Sequence, residues 1–238
     1  MILATYNIHR CKGGDGRSDP DRIVEVLREI KADIIALQEV ESQTSAGFDM
    51  LGYLARAMGM ASIAGPTLER GTGHYGNAIL TRFNIIERRS TDLSVPGREP
   101  RGAIEALFDC ERHPFSVVAT HLGLRPYERR AQVQRLLKIF QPELQGPAAL
   151  LGDINEWYLW GRPVRWLHLY FKETPSPRTF PARWPLFALD RIWVRPRAAL
   201  RHLEIHDSRL ARIASDHLPL KAHVAVEALD RFDSSINL

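Results

Sequence analysis

The sequence predicts an α/β protein of mixed β-sheets covered by helices and folded as one domain. Short apolar runs alternate with stretches of helical periodicity along the chain. In its middle, four apolar runs follow one another with no helix between them, which argues against a pure βαβ series. Neither an internal repeat nor a Ser/Gly-rich linker divides the 238 residues, and at about 150 residues per domain that length allows one large domain or two small ones.

Each element has its local reason. Residues 2–8 open on a strand. Asp19 then caps a helix with Pro20 at its first position, and Ile23, Val26, Leu27 and Ile30 recur on one face. Residues 33–40 (DIIALQEV) form a second, buried strand, and 48–58 a helix. Strands are expected over 77–82, 85–90, 103–108 and 115–122. A helix over 127–140 follows, with Val133, Leu136, Leu137 and Phe140 on one face. Strands resume at 148–154, 188–194, 200–206 and 218–226. The domain is expected to span 1–227, leaving 228–238 as a polar tail that frays.

Composition excludes several classes. With 45% hydrophobic and 25% charged residues the chain is neither disordered nor of low complexity. Cys11 and Cys110 cannot form a stapled framework and read as free thiols in a reducing compartment. The start MILATYNIHR lacks the pattern of a signal peptide, and no apolar run approaches the roughly 18 residues that span a bilayer. A soluble cytoplasmic protein is the expectation. Charge is uneven: residues 160–215 hold ten Arg and one Lys against four acids, a net +7 within a chain of net +4. That asymmetry fits either an anionic substrate or partner, or a solvated basic face.

Acids, amides and histidines recur at the ends of apolar strands. Asn7 ends the first strand in TYNIH, Gln38 and Glu39 the second in LQEV, and His121 another in VVATHLGL. Asp153 and Asn155 follow in LLGDIN, Asp190 lies in FALDRIWV, and Asp216 and His217 open the last strand in SDHLPL. A carboxylate within an apolar strand is costly unless paired or metal-bound. One such residue reads as a cap or turn; clusters recurring at matching strand ends read as one rim. Glu39, Asn7 and Asp216 supply hard oxygens, which suit Mg²⁺ or Mn²⁺ better than zinc. HExxH, the P-loop GxxxxGK[ST] and the GxSxG elbow are all absent, and GGDG at 13–16 reads as a loop. Metal-assisted hydrolysis with carboxylate and imidazole helpers remains.

TYNIH, LQEV, THL, GDIN, LDRIWV and SDHLP, in this order from Asn7 to Leu220, resemble the endonuclease/exonuclease/phosphatase (DNase I-like) superfamily. NIH…DG, YGNAIL and EPRGA bring the likeness nearest to its short bacterial members. The resemblance implies a four-layer sandwich of two mixed sheets packed face to face and flanked by helices. It implies that Glu39 with Asn7, and Asp216 in addition, holds Mg²⁺, with Mn²⁺ as the substitute. Asp153 would orient or deprotonate the attacking water, Asn155 bind a phosphate oxygen, and His217 stabilise the transition state with Asp190 behind it. His121 would be a second cationic imidazole against the phosphate. Thr120-His121-Leu122 stands where apurinic-site endonucleases carry Tyr-x-Pro-Asn, which disfavours abasic DNA.

Further substrate-binding candidates are Arg101 in EPRGA, able to fork onto a phosphate, Asn77 in YGNAIL, and His9. Each has a plain alternative as a loop or backbone-bonding residue. His74, His113, His168, His202, His206 and His223 are expected to be structural or exposed. The expected function is phosphodiester or phosphomonoester hydrolysis; the alternatives are a nonspecific nuclease on DNA or RNA, or a nucleic-acid-binding protein that keeps only the fold. The partner is then a phosphate-ester substrate, a lipid headgroup, nucleotide or nucleic acid, with no stable protein partner implied.

Residues 156–187 interleave Trp157, Trp160, Trp166 and Trp184 with Arg162, Arg165, Lys172, Arg178 and Arg183, and five prolines leave at most a short helix over 164–171. Trp166 and Phe187 are expected in the core. The rest is expected near the catalytic rim, selecting the substrate through an anionic surface contact, whether by stacking on bases or at a lipid interface.

Overall fold

The computed structural model describes residues 1–41, 47–70, 73–110, 113–140 and 146–229. Among the described residues, eleven strands form two sheets. They are β1 (Ile2–Asn7), β2 (Ile34–Glu41), β3 (Ala61–Arg70), β4 (Gly73–Thr81), β5 (Asn84–Asp92), β6 (Gly102–Cys110), β7 (His113–His121), β8 (Ala148–Asp153), β9 (Asp190–Arg195), β10 (Leu200–Ile205) and β11 (Leu220–Val224). The helices are α1 (Pro20–Ile30), α2 (Met50–Met58), α3 (Pro126–Ile139), α4 (Arg162–Phe171) and the single turn α5 (Ala211–Ala214). The first sheet runs β10-β11-β1-β2-β4-β3 and the second β5-β6-β7-β8-β9. Both are mixed: β1–β2 and β7–β8 are parallel pairs and the other pairs are antiparallel.

Three apolar layers hold the four layers of elements together. Leu3, Ile34 and Ala36 of the first sheet meet Phe108, Val117 and Leu151 of the second between the sheets. Alternate residues of the same strands, Ala4, Tyr6, Ile35 and Leu37, face Ile23, Leu27 and Leu54 of the first helical layer. On the outside of the second sheet, Val118, Leu150 and Trp193 pack on Val133 and Leu136 of α3 and Leu167 of α4. Strands buried on both faces read as unbroken apolar runs, as DIIALQEV and AALLGD do.

Local chemistry sets the helix ends. The Asp19 side chain accepts from the amides of Asp21 (3.1 Å) and Arg22 (3.3 Å) at the start of α1, and Asp49 caps α2 through Gly52 N (2.9 Å). Several boundaries differ from expectation. β3 is not among the expected strands; as the edge strand of its sheet it has no outer partner to miss the N–H that Pro66 lacks. Gly65 also permits the sheets to meet there, since a Cβ would lie 2.3 Å from Ile104 Cγ1. β9 starts at Asp190, not 188, and the turn of α5 was unforeseen. Ala228 and Leu229, assigned to the tail by their sequence position, are buried in the layer between the sheets; residues 230–238 of that tail lie outside the described residues. Among the described residues, no helix is long and apolar enough to cross a membrane.

Candidate active site

The strand ends converge because of pairing register. In the second sheet His121 of β7 pairs with Asp153 of β8, and Asp153 with Asp190 of β9, so three functional side chains start from one row. In the first sheet Asn7 of β1 is level with Gln38 of β2. Beyond Gln38 the ladder to β4 shifts between Leu37 and Val40, and Glu39 sits in this bulge with φ 59°. A bulge re-aims a side chain that strand alternation would send elsewhere. Holding a non-glycine residue there costs about 1–3 kcal/mol, a strain that clusters at functional sites. Gly152, at φ 149°, lets β8 approach β7: a Cβ would lie 1.9 Å from the Thr120 carbonyl oxygen.

Asp153 is the hub. Its Oδ1 accepts from the Asn155 amide (2.9 Å). Its Oδ2 lies 3.2 Å from Asn7 Nδ2, 3.5 Å from His121 Nε2 and 3.7 Å from His217 Nε2. Asn7 Nδ2 also donates to Glu39 Oε1 (3.2 Å), and its Oδ1 accepts from His9 N (3.1 Å). These groups floor a cleft of about 350 Å³ whose walls include Arg10, Tyr75, Glu99, Arg101, Leu124, Trp157, Phe180 and Leu189.

The two histidines take opposite protonation states. At His217, burial by itself lowers the pKa, but the charges of Asp190, Asp153 and Asp216 and the Asp190 hydrogen bond outweigh it and raise it to about 10. His217 Nδ1 donates to Asp190 Oδ2 (2.8 Å), which also accepts from Thr179 Oγ1 (2.6 Å). The buried imidazolium therefore presents Nε2–H towards Asp153 and the cleft. At His121, burial first and the Arg101 charge second push the pKa down to about 3, beyond what Asp153 restores. In this orientation of the Asn155 amide, both ring nitrogens face N–H donors: Arg101 Nη1 at 3.4 Å and Asn155 Nδ2 at 3.0 Å. The expectation of two cationic imidazoles is thus corrected: His217 is the cation and His121 is neutral.

Other expected residues divide. Arg101 lines the cleft, with Nη1 3.3 Å from Glu99 and its buried Nε unpartnered. Asn155 spends its amide N–H groups on Leu122 O (2.9 Å) and His121, so in this structure it positions a ring and offers no free donor to phosphate. Asn77 takes its backbone-bonding reading: its Nδ2 donates to Gly102 O (3.0 Å), tying β4 to β6, and it lines a small recess together with Arg101 and His121. His9 and Asp216 face one another, Nδ1 to Oδ1 at 3.7 Å, and neither is among the residues lining the cleft. Trp166 is partly buried and packs against the core layer outside the second sheet, whereas Phe187, also partly buried, packs on Trp157.

Sequence reasoning missed Thr179, Arg10, Tyr75 and Glu99. Thr179 comes from a Pro-rich loop with nothing to flag it. Arg10 is swung into the wall by consecutive left-handed residues, His9, Arg10 and Cys11 at φ 45°, 54° and 58°, with no glycine among them to signal the turn.

The donor set fits a hard divalent ion. Glu39 Oε1 and Asp153 Oδ2 are hard oxygens facing the Asn7 amide nitrogen, each 3.2 Å away, a place where added positive charge is favoured; Asn7 Oδ1 accepts from His9 N, so Asn7 would ligate with its amide turned over. Asp153, Asp190 and His217 also bring ligand-type atoms within 4.8 Å. There Asp190 Oδ2 already accepts hydrogen bonds from His217 Nδ1 and Thr179 Oγ1.

Comparison with known proteins agrees with this geometry. The profile of the endonuclease/exonuclease/phosphatase family matches residues 4–217. The uncharacterized protein YbhP of Escherichia coli K12 is 30% identical over 245 aligned residues, covering 93% of this chain and 95% of that protein. The mannosyl-6-phosphatase Bt3783 of Bacteroides thetaiotaomicron superposes with a TM-score of 0.71 at 18% identity, over 94% of this chain and 99% of that one. The human nocturnin catalytic domain, solved with bound sulfate, superposes with a TM-score of 0.71 at 20% identity, over 93% and 92% of the two chains. At these identities the solved structures show a shared fold, and that fold is the DNase I-like sandwich.

Proposed function

This chain belongs to the endonuclease/exonuclease/phosphatase family, and on that premise we propose that it is a Mg²⁺-dependent hydrolase of a phosphodiester or phosphomonoester, with Asp153 activating the attacking water. The family and fold are those of phosphoester hydrolases. The observation that supports the finer reading is the convergence of three nitrogens, Asn7 Nδ2, His121 Nε2 and His217 Nε2, within 3.7 Å of one Asp153 oxygen at the floor of a cleft.

In the proposed step, water loses a proton to Asp153 as its oxygen joins phosphorus, and the bond from phosphorus to the leaving oxygen breaks. Negative charge grows on the nonbridging and leaving oxygens. The His217 imidazolium faces that charge through Nε2–H, so it stabilises the transition state more than the ground state. Asp190, braced by Thr179, holds the His217 proton in place. Arg101 supplies a second fixed cation in the wall. Asn155 and neutral His121 act as positioning residues that keep Asp153 and Arg101 apart and oriented. Glu39 and Asn7 would hold the metal ion, which when bound supplies Lewis-acid polarisation of the phosphoryl group.

The test is hydrolysis of bis-p-nitrophenyl phosphate and p-nitrophenyl phosphate in Mg²⁺ and in Mn²⁺, beside Asp153→Asn and an EDTA control. Turnover by the wild type that vanishes in the variant and with EDTA is the expected result. No turnover of either ester, or equal turnover in Asp153→Asn, defeats the reading. Including plasmid and RNA separates a nuclease from a small-ester hydrolase.

A further inference from the structure

The mouth of the cleft is made by two outward-facing loops, 156–161 and 180–187. Trp157 joins them: its ring packs edge-on against Phe180 at 6.1 Å and Phe187 at 4.6 Å between centroids. Trp157 and Phe180 themselves line the cleft, and Phe180 lies 4.8 Å from the His217 ring. Beyond this lining, the loops turn large apolar side chains into solvent. Tyr158, Leu159 and Trp160 do so on the first loop, and Trp184 and Leu186 on the second; Trp160 and Trp184 are each 71% exposed. Leu124, a third element of the cleft wall, is also exposed. Single exposed apolar residues are ordinary, but a cluster around the mouth of a site marks an interaction surface.

Charge narrows the partner. Residues 157–187 carry Arg162, Arg165, Lys172, Arg178 and Arg183 against one acid, Glu173. Arg165, Arg178 and Arg183 are exposed, and among the described residues none of these three is engaged in an ion pair. An aromatic and aliphatic rim flanked by unpaired guanidinium groups complements a surface that is anionic outside and apolar just beneath.

We propose that this rim docks the cleft onto an anionic phospholipid surface, so that the ester it hydrolyses is presented by a lipid headgroup. The substrate class rests on the phosphoesterase reading above; the docking does not. Single-stranded nucleic acid would use the aromatic faces and the cations, but it has no use for Leu124, Leu159 and Leu186. The boundary between headgroups and acyl chains takes up both, and it is where tryptophan partitions. The chemical step is unchanged: a bond forms from water oxygen to phosphorus, an ester P–O bond of the headgroup breaks, and the freed alcohol leaves with a proton.

Sedimentation of the full chain with phosphatidylcholine vesicles, with and without phosphatidylglycerol, tests this directly. The expected result is binding to phosphatidylglycerol-containing vesicles, a blue shift of tryptophan emission, and weakening at high salt. Trp160→Ala with Trp184→Ala should weaken vesicle binding about tenfold or more, and Arg165→Glu with Arg183→Glu should remove the preference for phosphatidylglycerol. Both pairs should retain turnover of bis-p-nitrophenyl phosphate. Failure of the wild type to bind either vesicle overturns the proposal, as does unchanged binding by the tryptophan pair. Quenching by single-stranded oligonucleotide without vesicle binding assigns the rim to nucleic acid instead. Loss of thermal stability together with both activities places the rings in packing and also overturns it. A chain that docks as expected yet hydrolyses no ester refutes the phosphoesterase reading and leaves the docking standing.

Discussion

Asp153 and His217 on the floor of the cleft, and Asp190 behind His217, are buried, the two acids at paired strand ends and His217 against both of them. Trp160 and Trp184, on its rim, stand in solvent on loops, with exposed cations nearby. The floor owes its geometry to sheet register and to charges placed where water cannot screen them. The rim owes little to the fold and contributes little to it. A substitution in the floor should therefore change chemistry for every substrate, and one in the rim only for a substrate that arrives on a surface.

The largest effect should come from Glu39→Gln. Removing the carboxylate that would hold the metal should lower turnover of every ester roughly 10³-fold or more, since metal stabilisation of the transition state amounts to several kcal/mol. The half-saturating Mg²⁺ concentration should rise with it. Wild-type turnover that is still EDTA-sensitive would remove Glu39 from the site.

Asp190→Asn comes next, with a loss of about 10²–10⁴-fold, the usual range for acid–base and charge-stabilising partners. Here pH carries a sign. His217 has a folded pKa of about 10, above its ordinary 6.5, so the wild type should hold the cation until pH rises through about 10. The variant should lose it at lower pH, moving the alkaline limb of the rate profile down. By linkage, the stability drawn from this raised pKa is whole below 6.5 and is lost as pH rises through about 10. Wild type and variant should therefore differ most in stability at the acid end of that window. An NMR titration giving His217 one pKa in both proteins contradicts the assignment.

Gly152→Ala probes the register beneath the floor. The added Cβ meets the Thr120 carbonyl, and separating the strands should cost about 1–3 kcal/mol, or about 2–4 °C of Tm per kcal/mol at this chain length. A melting curve like that of the wild type would mean that β7 and β8 pair more loosely than the row of His121, Asp153 and Asp190 requires. The smallest effect belongs to the rim: Trp160→Ala with Trp184→Ala should leave the turnover of soluble ester within about twofold and stability within about 0.5 kcal/mol per substitution. A larger loss of either erases the contrast between floor and rim.

What could be read from the sequence follows the same division. Asn7, Glu39, His121, Asp153, Asp190 and His217 stood out because a polar residue closing an apolar strand violates the burial pattern. The bulge that aims Glu39 leaves no mark in LQEV, since a left-handed glutamate looks like any other. The neutrality of His121 depends on Arg101, remote in sequence, and on burial that no motif records. Thr179 reaches Asp190 from a loop whose path only the fold defines. β3 was hidden by a Gly-Pro pair that an edge strand tolerates, and Leu229 by the polar residues that follow it. Single-residue chemistry was legible; arrangements made by distant segments were not.

The pairing of Asp153 with Asp190 has a consequence for how such a protein can change. Residues 154–189, which carry the rim, leave and re-enter the second sheet at neighbouring positions of one antiparallel ladder, with Cα atoms about 4.5–5.5 Å apart. The segment is thus an excursion with both ends pinned, and each doubling of such a loop adds only about 0.6 kcal/mol of closure entropy. Its exposed loops can be lengthened, trimmed or exchanged while the row beneath keeps its register, provided that Asn155 still holds His121, Leu167 and Phe171 of α4 stay in the core, and Thr179 or an equivalent braces Asp190. Grafting of such loops is therefore the natural way to give the same floor a different rim.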